Sequence, residues 1–235
     1  MDNDFRKYKN VHMLFSKNKG DIFNIKEGIF VTESDNKVII KLNKEISEMY
    51  EIQLIWETTK IERVQEISKD GKVISNEKMF KEVNEANIWI DNKDYPYVYV
   101  FVNKIVLLRD IQKIFVNLFN VELKNIEFNN VFYERLIESF EIREIKSVSY
   151  QTNEENLSSI TISTKGSLMA SQIYNETDIL KEKITEITVL LNKYLKIKIY
   201  RRGKLLIYNT PDMYEIIHIV SFIRSLMSDG GIIFE

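Results

Sequence analysis

Up to about residue 108 the apolar residues of this chain recur with a period of two. From Asp110 onward they recur every three or four, so a sheet and the helices that cover it must share one polypeptide. The early runs are Val11 to Phe15, Ile29 to Thr32, Val38 to Leu42, Ile52 to Trp56 and Ile61 to Ile67. They are β-branched or aromatic and bounded by Gly, Asn or Asp, which predicts short strands. In that half only the segment after Asn76 reads as helical, with Asn76 as its cap and Met79, Phe80 and Val83 at helical spacing. Tyr97 to Phe101 and Ile105 to Leu108, separated by Val102-Asn103-Lys104, predict a hairpin.

Asp110 then caps an expected helix with the stripe Ile111, Ile114, Phe115, Leu118 and Phe119. Asn129 or Asn130 starts a second, bearing Phe132, Leu136, Ile137 and Phe140. Ile142 to Tyr150 and Ser159 to Ser163 return to strand composition around the polar loop 152–156. A boundary in that loop divides the chain into a β-rich α+β lobe, 1–151, and a C-terminal α+β lobe, 157–235. In the latter, Thr177 caps a predicted helix carrying Leu180, Ile184, Ile187, Leu191 and Tyr194. A hairpin from Leu195 to Tyr200 and Lys204 to Tyr208 turns at Arg201-Arg202-Gly203. Thr210-Pro211-Asp212 opens a last helix, whose wide apolar surface calls for burial on two sides or against a second subunit. The expected class is α+β, mostly antiparallel sheets flanked by helices, in two lobes.

Bulk properties narrow the function. The chain has no Cys, so it has neither a disulfide framework nor a thiolate site, and a reducing compartment suits it. Its first residues are polar and its most apolar stretches are too short to span a bilayer, so a soluble, cytoplasmic protein is expected. His12 and His218 stand alone in apolar segments and read as structural. Neither a P-loop, a dinucleotide-binding glycine motif nor a G-x-S-x-G elbow occurs, and no cofactor or metal is expected. The enzyme reading to weigh is an Mg²⁺-dependent nuclease in which Glu138 and Glu144 hold the ion and Lys146 polarises a phosphate.

Charge is more telling in its distribution than in its sum, a formal −2. No acidic residue lies between Glu186 and Asp212, whereas Lys193, Lys196, Lys198, Arg201, Arg202 and Lys204 all do. Strand alternation would turn Leu195, Ile197 and Ile199 inward and Lys196 and Lys198 outward, with Tyr194, Tyr200 and Tyr208 interleaved. Cations among aromatics are what phosphate neutralisation and base stacking require, although lysines also protect an exposed edge strand. An acidic protein partner is the third alternative.

Two stretches carry a family resemblance. Ser16-Lys17-Asn18-Lys19-Gly20, after a short aromatic strand, and Pro96-Tyr97-Val98-Tyr99-Val100-Phe101-Val102, followed by Ile105 to Arg109, resemble segments of the RexA-type phage-exclusion proteins. The KwaB component of Kiwa defence offers a fainter similarity. The resemblance implies a dimeric, non-enzymatic protein that binds DNA without strong sequence preference, senses phage infection and triggers a separate membrane effector. Lys17 and Lys19 are the positions it carries over. The expected DNA contacts are therefore Lys196, Lys198, Arg201, Arg202 and Lys204, with Lys17 and Lys19 as auxiliaries.

Overall fold

The strand-forming runs of the first half and the basic hairpin of the last third meet at β1 (Asn10–Ser16), the strand from which the rest of the sheet extends. A computed structural model describes residues 9–16, 25–32, 35–46, 49–91, 97–151, 159–168, 183–192, 194–209, 211–227 and 231–234. In chain order β1 is followed by β2 (Gly28–Val31), β3 (Lys37–Ile46), β4 (Met49–Ile67), β5 (Val73–Asp91), β6 (Tyr97–Phe101), α1 (Ile105–Phe119) and β7 (Leu123–Phe128). Then come α2 (Asn130–Glu138), β8 (Glu144–Gln151), β9 (Ser159–Ser163), β10 (Lys183–Leu190), β11 (Lys196–Tyr200), β12 (Lys204–Ile207), α3 (Met213–Met227) and β13 (Ile232–Phe234). The chain is thus α+β, with its described strands paired antiparallel in the order β2-β3-β4-β5-β6-β1-β12-β11-β10-β8-β9. β7 takes the remaining half of one edge of β1 and pairs with β13. Among the described residues no helix is long and apolar enough to cross a membrane.

The pleat of β1 and β6 separates two cores. Val11, Met13, Tyr99 and Phe101 face one side and pack with Phe132 and Leu136 of α2 and Ile216, Ile219 and Ile223 of α3. Leu14, Val98 and Val100 face the other and pack with Leu108, Ile111 and Phe115 of α1. Both faces of these strands are dry, which explains their nearly unbroken apolar sequence. Each fully buried large side chain stabilises the fold by about 1.5–3 kcal/mol. Pairing also crosses the division expected in the loop 152–156, itself outside the described residues: β8 lies between β9 and β10, and β1 lies beside β12.

Three expected elements differ. Ile105 to Leu108 form the first turn of α1 and not a second hairpin strand, because β5 and β1 already occupy both edges of β6. Asp110 consequently lies inside the helix and does not cap it. The segment from Asn76 to Val83 is strand: Met79 stands opposite Ile61 and Phe80 opposite Lys60 in the β4–β5 ladder. The residues from Ile184 to Leu190 are also strand and not helix. A β-bulge between Ile184 and Glu186 puts Ile184 and Ile187, three apart, on the same buried side, and so imitates a helical spacing. Thr177 and Leu180 lie outside the described residues. At the last helix, Asp212 Oδ1 accepts from Glu215 N at 2.8 Å and Glu215 Oε2 accepts from Asp212 N at 3.0 Å. This capping box begins at Asp212 in place of the expected Thr210, which is outside the described residues.

The two strands predicted at Ile52 to Trp56 and Ile61 to Ile67 are one strand, and its outer half has a single neighbour. β3 accompanies β4 only as far as Trp56, and β6 meets β5 only from Asn87, so residues 57–83 project as a two-stranded arm. Lys60–Glu82, Arg63–Glu77, Lys78–Glu66 and Lys81–Glu57 pair its charges across the ribbon. Six cations balance six carboxylates between Glu57 and Val83, leaving the arm without net charge.

Candidate nucleic-acid interface

The β11–β12 hairpin carries the predicted cations, and its turn is fixed from behind. Gly203 adopts φ +65°, and a Cβ there would lie 2.8 Å from the Ile126 carbonyl and 3.0 Å from that of Met13. Only glycine fits so close an approach at that dihedral. The Met13 amide donates to the Gly203 carbonyl at 2.7 Å, and the Phe128 amide donates to the Arg201 carbonyl at 2.8 Å. The tip is therefore bound to β1 and β7 and is not a free loop.

Alternation on β11 is as expected: Leu195, Ile197 and Ile199 are buried, while Lys196 and Lys198 are partly exposed on the opposite face. The predicted cations nevertheless divide into two groups. Arg201 Nε donates to Glu127 Oε1 at 2.6 Å, and its Nη1 donates to the Ile184 carbonyl at 3.0 Å. With 14% of its side chain exposed, Arg201 clamps β7 to β10 and has little surface to offer a phosphate. Lys198 Nζ lies 2.6 Å from Glu186 Oε1, which also accepts from Ser149 Oγ at 3.1 Å, and Ser149 in turn meets Thr161 Oγ1 at 2.7 Å. This polar chain crosses β11, β10, β8 and β9. Desolvation pulls the Lys198 ammonium down, but the hydrogen bond and charge of Glu186 more than offset it and leave the group above its ordinary value. Arg201 and Lys198 are thus corrected from phosphate contacts to structural ion pairs.

Arg202, Lys204 and Lys196 form the second group. Among the described residues none of the three has a carboxylate within ion-pair distance. Lys196 lies 4.5 Å from the centroid of the Tyr208 ring and Lys204 lies 5.5 Å from that of Tyr200. Arg202 is exposed at the tip. Lys17, Lys19 and Lys193 lie outside the described residues.

Beside the tip is a cavity of about 580 Å³ lined by His12, Ile105, Glu127, Gln151, Lys183, Thr185, Tyr200, Arg201, Arg202 and Lys204. Among the described residues Glu127 is the one acidic member of its wall, and Arg201 neutralises it, so the charge left over among them is that of Arg202, Lys204 and Lys183. Sequence reading placed only Tyr200, Arg201, Arg202 and Lys204 here, and two of the members it missed bear on the chemistry. Lys183 comes from β10, where it faces Gln151 across the β8 ladder. His12 comes from the other end of the chain, and only the β1–β12 register, which puts it opposite Lys204, reveals its place. Its side chain is buried, it bonds the Val102 backbone, and its Nε2 has no hydrogen-bond partner among the described residues. Burial, aided by Lys204, lowers this imidazole from 6.5 to about 4, so it is neutral at pH 7.

In the expected nuclease grouping, Lys146 and Glu144 stand together on β8 as an ion pair. Lys146 is spent on Glu144 and on the carbonyls of Lys165 and Gly166. Among the described residues no three His, Asp or Glu side chains converge as metal ligands would. His218, expected in an apolar setting, is half exposed and its Nε2 lies 3.2 Å from Glu141 Oε2. Neither a family model nor a curated protein matches the chain.

Proposed function

We propose that this chain is a non-enzymatic protein that binds nucleic acid through its phosphates, at the tip of the β11–β12 hairpin and the mouth of the adjoining cavity. The observation that carries the reading is the charge of Arg202, Lys204 and Lys183, which has no ion-pair partner among the described residues, around a concave, anchored surface whose one described carboxylate is already paired. Phosphate contacts by Lys and Arg position a protein on nucleic acid without reading bases, so affinity should be indifferent to sequence. Tyr200 and Tyr208, each beside a lysine, supply faces on which an unpaired base could stack. Taken with the RexA-type resemblance, the binding would serve phage exclusion in the cytoplasm, with the DNA-bound form signalling to a separate membrane effector. A homodimer is part of the same reading, and the arm, without net charge and with Ile61, Met79 and Val83 exposed, is the surface best suited to a second copy.

Equilibrium binding to two duplexes of unrelated sequence at low salt tests it. Equal affinities are expected, together with a loss of at least tenfold in the Arg202→Glu, Lys204→Glu variant. Undiminished binding by that variant would remove the hairpin tip from the interface.

A further inference from the structure

We infer that the open edge of β5 is the docking strand for a second copy of this chain, and that two copies join there antiparallel about a two-fold axis at Met79, continuing one sheet across both. The inference rests on the homodimer in the reading above and goes beyond it by naming the strand, the direction and the register.

β6 reaches β5 only from Asn87, so among the described residues no strand pairs with the outer side of β5 from Val73 to Ala86. A row of unpaired N–H and C=O groups is a template for another strand unless Pro, a bulge or a covering segment blunts it. Residues 73–86 contain neither Pro nor Gly, and the β4–β5 ladder runs from Met49 to Ile67 without a register shift. Met79 and Val83 stand on one face of this edge with 72% and 66% exposure, and Phe80 on the other with 45%.

The order of charges selects both partner and register. Opposite residues of an antiparallel pair share a face, so a two-fold axis passes through a residue and its own copy, never between two residues. Axes at Glu77, Lys78 or Lys81 set like charges against each other. An axis at Phe80 pairs Lys78 with the partner's Glu82 but leaves Met79 facing the partner's Lys81. An axis at Met79 covers that side chain with its twin and sets Glu77 opposite the partner's Lys81, twice over. It thereby extends the pairs Arg63–Glu77 and Lys81–Glu57 of each chain across the junction. The outer edge of β4 does not match this. The β2–β3 turn lies along its start, where Thr59 Oγ1 donates to Asn36 Oδ1 at 2.9 Å and the Lys37 amide donates to Glu57 Oε2 at 3.0 Å. Beyond that turn, axes at Glu62, Arg63 or Val64 oppose Glu62 to Glu62, Arg63 to Arg63 or Glu62 to Glu66.

Cross-linking and sedimentation velocity on the full chain, without nucleic acid, test the inference. Opposite residues of such a pair have Cβ atoms about 4.5–5.5 Å apart. The chain has no Cys, so Met79→Cys should give a disulfide-linked dimer on mild oxidation. Ile61→Cys should not, because Ile61 shares the face of Met79 but lies one strand further from the axis in each copy, which separates the two by roughly 14 Å. Lys81→Glu and Glu77→Lys change exposed side chains, and each should weaken self-association about tenfold as two attractive cross-strand pairs become repulsive. An equimolar mixture of these two variants should recover the dimer, since each meets its opposite charge in the other. A parent chain monomeric at every concentration, an unlinked Met79→Cys, equal linking of Ile61→Cys, or a mixture no more dimeric than its components would overturn the inference. The two readings fail separately: a chain that dimerises through β5 but holds no duplex defeats only the nucleic-acid reading, and one that holds duplex but stays monomeric or joins elsewhere defeats only this one.

Discussion

Burial holds the His12 imidazole near a pKa of about 4, against an ordinary 6.5, and Lys204 opposite it adds to the depression. Between those values the unfolded chain takes up a proton that the folded chain does not. Stability from this group is therefore fully present above pH 6.5 and is lost as the pH falls toward 4. The loss by pH 4.5 should be about 2–3 kcal/mol, since every tenfold difference in proton affinity between the folded and unfolded chain is worth about 1.4 kcal/mol. Urea denaturation at pH 7 and pH 4.5 should show His12→Phe losing less than the parent by that margin; parallel losses would refute the assignment. Gly203 makes a second prediction at the same scale. Its positive φ and the two carbonyls that crowd it mean that Gly203→Ala should cost roughly 1–3 kcal/mol, seen as a lower urea midpoint with an unchanged slope. An unshifted midpoint would mean that the tip is not held as described.

Among the elements, the β4–β5 arm is the one whose behaviour the fold most clearly sets. A two-stranded ribbon is marginally stable, and among the described residues no third strand or helix backs this one, so residues 59–81 should open independently of the core. Hydrogen exchange should find amides 59–81 unprotected beside 49–56 and 84–90 in dilute protein, with protection rising as a second copy covers the arm at higher concentration. Core-like protection at every concentration would contradict this. The same arm illustrates what sequence could reveal. Helix α2 with Asn129 as its cap, the basic hairpin and the strand β9 were legible because local pattern and tertiary environment agree there. The ends of β4 and β5 were not, because Met79, Phe80 and Val83 are exposed and their order answers to cross-strand partners and not to a buried face. The bulge at Ile184 and the helical first turn of α1 were likewise decided by neighbouring strands. At the site, alternation showed which hairpin residues point outward. It could not show that Glu127 and Glu186, from other strands, would claim Arg201 and Lys198, nor that His12 would stand opposite Lys204.

At the scale of the whole molecule, α3 is tied to the sheet it covers by a buried ion pair, Arg224 of α3 with Asp91 at the end of β5, 2.8 Å apart. Asp91 is 0% exposed, so Arg224→Ala strips a counter-charge from a carboxylate with no access to water. A loss of about 3 kcal/mol is expected, by the same urea measurement. Charge is organised at this scale too. The chain as a whole is −2 and its arm is neutral, so the proposed attraction for a polyanion is local, and among the described residues it is assigned to the hairpin tip and the cavity beside it. Each phosphate neutralised releases counterions and contributes about 0.9 to the slope of log affinity against log salt. Measuring that slope for duplex binding by the parent and by the Arg202→Ala, Lys204→Ala variant is the most direct test. A slope shallower by about 2 in the variant is predicted, and identical slopes would contradict the account.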